Sequence, residues 1–358
     1  MRVVISGYYG FGNLGDEGVL AAMLAALRPR LPHASFIVLS GDPEATARLH
    51  GVTAVPRLGM PALRALSGAD VFLSGGGSLI QDASSLRSPL YYLSTLRAGT
   101  ALARRTMMYA HGVGPIRRPW IRWLTGWACR RLDLLTVRDE DSRSLLRSCG
   151  VRRPIDVVAD PVFALPAAPP ERAAALLGPA TRPRIGVALR PWGGNEYVDA
   201  LLRGLRTFRD RIDAEVVVLV FHPRVDRDLG ARVAAEFSAR IISGVTPQEM
   251  LGVVGQLELV VGARLHALIC AVAAGTPAVA VAYDPKVEAL ARRIGAQTVL
   301  PVTLLAPGAV IDALDGAWTA QEPTRRALRA HAAQMRADAL RAADMAASLA
   351  GFRFQPTE

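Results

Sequence analysis

Along the chain, short runs of consecutive apolar residues alternate with longer stretches whose apolar positions recur every three or four residues. The runs at 2–6, 35–40, 69–74, 106–110, 134–137 and 156–159 predict β-strands, and stretches such as 18–27 and 142–148 predict amphipathic helices between them. Near-continuous apolar strands spaced by helices indicate a mostly parallel sheet covered on both faces. A segment with five prolines follows at 165–183 and reads as a linker. The strand pattern then restarts at 184–189, 215–221, 240–242, 257–261, 278–282 and 298–301, and 324–350 is helical and rich in Ala and Arg. The expected architecture is α/β: two Rossmann-like domains, residues 1–165 and 184–320, facing an interdomain cleft. A linker (166–183) joins them, and a helical segment (321–358) follows. In such sheets ligands sit beyond the carboxyl ends of the strands, so the loops after the strands are the places to search for chemistry.

Several of those loops are unusual. The first, residues 7–17 (GYYGFGNLGDE), holds a literal G-x-G-x-x-G at Gly10, Gly12 and Gly15. A dinucleotide site is disfavoured, because Asp16 and Glu17 fall in the first helical turn, where their charge would repel a pyrophosphate. A loop bearing Tyr8, Tyr9, Asn13, Asp16 and Glu17 suits stacking on and hydrogen-bonding a sugar. The plainer account is a turn in which Asp16 caps the helix. Residues 74–82 (SGGGSLIQD) place Gly76 and Gly77 for close backbone approach, with Gln81 and Asp82 as polar side chains. Residues 110–115 (AHGVGP) put His111 directly after a strand. In the second half, Arg190 stands at a strand end, Arg264 and His266 introduce an apolar helix, and Lys286 follows the next strand. Together these cations suit a phosphate and a carboxylate, and internal salt bridges are the alternative.

Composition narrows the picture. The net charge of +11 favours acidic partners, but the basic residues are spread along the chain without a dense tract, so nucleic acid ranks last. Of 42 basic residues Lys286 is the only lysine, either retained by chance or kept at a position where a compact ammonium is needed. Cys129, Cys149 and Cys270 are far apart among apolar neighbours, which suits buried thiols in a reducing cytoplasm; no Cys/His spacing suggests a metal site. The N-terminus reads as a strand and not as a signal peptide, and no apolar run approaches the roughly 20 residues needed to span a bilayer. Trp120, Trp123 and Trp127 fall on one helical face flanked by arginines. Core packing, with arginines stretched along the surface, is the plainer account of that face; peripheral contact with an anionic membrane is the sharper one.

The opening GYYGFGNLGDE, SGGGSLIQD, HGVGP, VRDEDS at 137–142, RLH at 264–266 and DPK at 284–286 together resemble the polysaccharide pyruvyl transferase family, notably its bacterial cell-surface members. The resemblance implies a glycosyltransferase-B-like fold, phosphoenolpyruvate as donor co-substrate, and no metal or further cofactor. It also implies transfer of the pyruvyl group, as a 4,6-ketal, to an N-acetylmannosamine-type residue of a lipid-linked cell-wall glycan. In related systems that ketal anchors surface-layer proteins. The donor-binding set is then Arg190, Arg264, Leu265 and Lys286, with His266 as the acid. The acceptor-binding set is Tyr8, Tyr9, Asn13, Asp16, Glu17, Gly76, Gly77, Gln81, Asp82 and His111. The expected place is the cytoplasm, at the inner face of the membrane. A nucleotide-sugar glycosyltransferase of the same architecture and a non-catalytic glycan-binding protein are the alternatives.

Overall fold

The structure, a computed structural model, describes residues 1–351 except Ser84, Asn195, Asp284 and Gln297, and except the side chains of Pro285, Lys286 and Leu290. It divides into two units, Met1–Leu165 with Met335–Glu358, and Pro166–Gln334. The first unit runs β1 (Arg2–Ser6), α1 (Leu14–Arg30), β2 (Ser35–Ser40), α2 (Pro43–His50), β3 (Thr53–Pro56), α3 (Met60–Ser67) and β4 (Val71–Gly75). It continues through α4 (Arg87–Leu102), β5 (Arg105–His111), α5 (Pro119–Cys129), β6 (Leu134–Val137), α6 (Glu140–Ser148) and β7 (Asp156–Val157). Among the described residues its strands form one parallel sheet of seven, in the order β3-β2-β1-β4-β5-β6-β7.

The second unit holds α7 (Pro170–Leu177), β8 (Arg184–Ala188), α8 (Glu196–Ile212), β9 (Glu215–Leu219), α9 (Pro223–Phe237), β10 (Arg240–Ile242) and α10 (Pro247–Gly255). Then come β11 (Leu259–Gly262), α11 (Leu265–Ala274), β12 (Ala278–Ala282), α12 (Pro285–Arg293), β13 (Thr298–Pro301) and α13 (Pro307–Thr319). Its six described strands are parallel, in the order β10-β9-β8-β11-β12-β13. The last helix, α14 (Gln321–Leu349), contributes its first half to this unit and its second half to the other.

Burial explains the strand pattern. Every residue of β8, β11 and β12 is buried, as a parallel sheet covered on both faces demands. Several helices start where a side chain accepts first-turn amides. Asn13 caps α1, Asp42 caps α2, Asp139 caps α6, and Thr246 with Glu249 forms a reciprocal capping box on α10. The expectation that Asp16 caps the first helix is corrected: Asn13 accepts from Gly15 N at 3.2 Å, and Asp16 lies inside the first turn.

Three other expectations change. The segment read as a linker carries α7, whose Ala173 and Leu177 are buried and which packs against α10, so it is part of the second unit. The strand β3 escaped the hydrophobic pattern because its four residues, TAVP, are an edge strand with no buried position. Core packing of the tryptophan face also fails, since Trp120, Trp123 and Trp127 are 47, 66 and 38% exposed. The opposite side of α5, with Ile121, Thr125, Ala128 and Cys129, is what fills the core.

One glycine on that buried side makes a test. A Cβ on Gly126 would lie 2.0 Å from the main-chain oxygen of Cys149, an atom that cannot swing aside. Gly126→Ala gains about 1 kcal/mol of helix propensity, but overpacking against backbone costs about 1–3 kcal/mol. The expected outcome is a net loss in urea unfolding, although alanine is the better helix former.

Candidate active site

In the second unit the carboxyl ends of β8, β9, β11 and β12 face one edge of the sheet, and each delivers a polar side chain there. Arg190 follows β8; its Nη1 donates to Tyr283 Oη at 2.7 Å, and its guanidinium lies 4.7 Å from the centre of the Tyr283 ring. The Tyr283 ring in turn packs against Trp192, 4.6 Å between centres. Tyr197 Oη donates to the Arg190 carbonyl at 2.6 Å, which fixes the turn after the strand. Arg190 Nε is buried without a hydrogen-bond partner among the described residues. A buried cationic donor left unmet is costly, and an anion is the ligand that would satisfy it.

Arg264 is held differently. Its Nε and Nη2 both donate to Asp226 Oδ1, and the side chains are only 12 and 3% exposed. The internal ion pair weighed for this position is therefore present, and it corrects the picture of a freely available clamp. Asp226 Oδ2 accepts the amide of His222 at 2.9 Å, so one carboxylate ties the end of β9 to the start of α11. The His222 Nδ1 atom is buried and unpartnered among the described residues. Burial first, and then the Arg264 guanidinium, lower the His222 pKa below its ordinary value against the pull of Asp226. Tyr197 senses Arg190, Arg264 and Asp226 together, so the groups form one cluster; burial dominates and pushes its phenol up to about 12. Arg264 is the residue before α11, and Leu265 and His266 form its first turn, half-buried. First-turn amides have no acceptor within their own helix and favour an anion. The Lys286 side chain and Asp284 lie outside the described residues.

The first unit gathers its expected residues at the corresponding sheet edge, but they divide in two. Tyr8 stacks on Phe11 at 4.2 Å between ring centres, and Arg57 spans the Phe11 and Tyr91 rings at 4.9 and 4.3 Å. Asn13, whose amide donates to Asp16, Asp16 itself, and Gln81 are also partly exposed. This partly exposed group can meet a ligand as the structure stands.

The others are engaged in contacts within the fold. Tyr9 is 1% exposed, with its hydroxyl on Met23 Sδ. Glu17 accepts Gly10 N at 2.8 Å and pairs with His50 Nε2 at 2.8 Å, fastening the loop to α2. Gly76 and Gly77 are buried because helix α1 presses on them: Cβ atoms there would lie 1.9 Å from Val19 and 2.7 Å from Asp16. Asp82 accepts the amides of Arg117 and Arg118, both at 2.8 Å. Burial would raise its pKa, but those bonds and the two arginine charges outweigh it and leave the carboxyl below its usual range. His111 is fully buried, with Nε2 3.0 Å from Ser74 Oγ.

The sequence reading gave no role to Arg138, Asp160, His222 or Asp226. Arg138 is buried after β6 and donates to Asp160 at 2.9 Å and to Ser78 at 2.8 Å, locking the glycine loop to the next strand end. Its signal was present in the VRDEDS motif. For His222 and Asp226 the signal is weaker: a His after the apolar run 215–221 and an Asp four residues on, in the first turn of a helix.

Two parallel α/β units with strand-end sites are the architecture of GT-B glycosyltransferases and epimerases. Similar solved structures include a glycosyltransferase from Rickettsia africae (12% identity, 95% of this chain and 96% of that one, TM-score 0.61). UDP-GlcNAc 2-epimerase from Neisseria meningitidis (10%, 95 and 97%, 0.60) and the wall teichoic acid polymerase TagF (14%, 98 and 88%, 0.61) are also alike. At these identities the likeness concerns the fold alone. No curated protein matches the chain. The profile of the polysaccharide pyruvyl transferase family matches residues 13–285, and the chain belongs to that family. It is therefore a transferase. No group of metal-binding side chains occurs among the described residues.

Buried His111 generates a pH test. Burial, reinforced by Arg138 and opposed by the Ser74 bond, pushes its pKa down to about 4. The unfolded chain then binds the extra proton first, so the contribution is whole above the unfolded pKa of about 6.5 and is lost as pH falls towards 4. Between pH 7 and pH 4 the wild type should lose about 3 kcal/mol more stability than His111→Gln in urea unfolding. Equal acid losses in the two proteins would contradict a neutral buried imidazole.

Proposed function

We propose that the chain moves the pyruvyl group of phosphoenolpyruvate onto two hydroxyls of an amino-sugar unit, of N-acetylmannosamine type, in a lipid-linked cell-wall glycan precursor. The product is a 4,6-pyruvate ketal, and phosphate is released. The observation that carries this reading is the arginine pair after the neighbouring strands β8 and β11, with Arg190 Nε buried and, among the described residues, unmet. Phosphoenolpyruvate offers two anionic groups of the size such donors recognise, and Arg meets each in a two-point manner. Asp226 and Tyr283 hold the guanidiniums in place before the donor arrives, which lowers the ordering cost of binding. Lys286 is assigned to the same donor because its ammonium suits a phosphate oxygen.

In this reaction the methylene carbon of the donor takes a proton, and the cation formed at C2 is attacked by one sugar hydroxyl. Phosphate then leaves with the C2–O electron pair, and the second hydroxyl closes the ring. Two hydroxyl protons are released, one balancing the methyl group and one leaving on phosphate. His266 is assigned as the proton donor, since an imidazole exchanges protons near neutral pH. His222 is not, because burial and the Arg264 guanidinium both disfavour its protonated form. On the other unit, the Tyr8–Phe11 stack with Asn13, Asp16 and Gln81 is the acceptor-facing set, the ring face matching the apolar side of a pyranose. Cytoplasmic placement and a role in anchoring surface-layer proteins belong to the same proposal.

The fold favours a second reading, transfer from a nucleotide sugar, because the similar structures include glycosyltransferases. Phosphate release from phosphoenolpyruvate with an N-acetylmannosamine-bearing lipid acceptor separates the two. His266→Ala should lower kcat by about 10²–10⁴-fold with donor KM little changed. Arg190→Ala should raise donor KM by about tenfold or more, the loss of one charge-assisted pair. Phosphate release by His266→Ala at the wild-type rate would remove the acid assignment, and glycosyl transfer from a nucleotide sugar would establish the second reading.

A further inference from the structure

The donor and acceptor reading leaves one large feature of the first unit unused. Helices α3, α4 and α5 pack side by side on its sheet and bury their inner faces in its core. Their outer faces carry large apolar residues among polar ones such as Arg64, Ser67 and Ser94. Trp120, Trp123, Trp127, Met60, Leu63 and Leu90 are each between 38 and 66% exposed. Trp123 and Trp127 stack with ring centres 6.4 Å apart, and Arg97 of α4 lies 4.2 Å from the Trp127 ring, so the face continues from one helix to the next. Single exposed apolar residues are ordinary, whereas a continuous group of large ones marks an interaction surface.

The charge around this face is one-sided. Between Asp82 and Asp133 the chain has nine arginines and no acidic residue, and between Glu44 and Asp70 it has three more arginines and again none. Among the described residues Arg64, Arg87, Arg117, Arg130 and Arg131 have no carboxylate within ion-pair distance, and all five are exposed. No helix among the described residues is long and apolar enough to cross a membrane.

We infer that this face docks on an anionic lipid bilayer, the indoles and aliphatic side chains entering the headgroup boundary and the arginines meeting lipid phosphates. Indole rings sit at that depth because they are apolar in body and polar at the N–H, and arginine stems lie along apolar surface while their heads stay hydrated. Charge decides against a second copy of the chain, because a two-fold contact through this face would set arginines against arginines. Met60, Leu63 and Leu90 decide against a nucleic acid: aliphatic side chains give no stacking platform, but they dissolve in an acyl boundary. Helix α5 starts from the loop that follows β5, at the sheet edge carrying Tyr8 and Asp16, so a docked face holds that edge close to the bilayer surface.

Sedimentation of the full chain with phosphatidylcholine vesicles, with and without phosphatidylglycerol, tests this. Binding should require phosphatidylglycerol and weaken as salt screens the arginines. The double variant Trp120→Ala/Trp123→Ala should bind about tenfold or more weakly, with an unchanged unfolding midpoint because both rings are exposed. Arg117→Glu/Arg130→Glu/Arg131→Glu should lose the preference for anionic vesicles. Phosphate release with a soluble acceptor should be unaltered in both variants, so the result stands apart from the donor assignment. Absence of wild-type binding, equal binding by the tryptophan variant, competition by single-stranded oligonucleotide at equal charge, or a dimer that the variant converts to monomer would overturn the inference.

Discussion

A parallel strand buried on both faces accepts a polar side chain only where the protein itself satisfies it, as Glu215 and three carbonyls satisfy Arg184, and that constraint organises this molecule. The strands β8, β11 and β12 are buried at every residue, so anything that must meet solvent or ligand is displaced to the loop after the strand. Arg190, His222, Arg264 and Tyr283 all stand within a few residues of a strand's carboxyl end, and Asp226 and His266 lie in the first turns of the helices that follow. The neighbouring ends bring together groups far apart in sequence. Arg190 meets Tyr283 across 93 positions and Arg264 meets Asp226 across 38.

Partial burial then sets what each group can do. An arginine near the sheet edge must be compensated, and the two arginines are compensated unequally. Arg264 has a carboxylate, so its charge is largely spent within the protein, and its contribution is a rigid fork at the start of α11. Among the described residues Arg190 has a phenol and an aromatic face, which orient it without neutralising it. The same distinction runs through the first unit. There Arg138 is fully committed to Asp160 and Ser78 and builds the loop, while the Tyr8–Phe11 stack stays open at the surface.

The fold was largely legible in the amino-acid pattern, because buried strands and amphipathic helices have different periods. It failed where burial does not write a period. The edge strand β3 has no buried residue, and the small helix α7 was hidden by its flanking prolines. For the site, motif position located the strand ends but not the direction of the side chains. Within the single loop 7–17, Tyr8 stays at the surface while Tyr9 enters the core, and Asp16 is partly exposed while Glu17 pairs with buried His50. Glycines at 76 and 77 looked suited to a ligand, yet the close approach they permit is that of helix α1. Asp226 was missed because an acidic residue in a helix's first turn is ordinary. Only its contact with Arg264, formed across two strand crossovers, distinguishes it.

The central claim is that the edge of the second sheet binds a small donor carrying both phosphate and carboxylate, with Arg190 as its principal cation. Titration calorimetry of phosphoenolpyruvate into the full chain measures this without any acceptor. The account predicts one binding site in the wild type, loss of that site in Arg190→Ala, and no comparable binding of a UDP-sugar. Saturable binding of a UDP-sugar with none of phosphoenolpyruvate, or phosphoenolpyruvate binding that Arg190→Ala leaves intact, would contradict it.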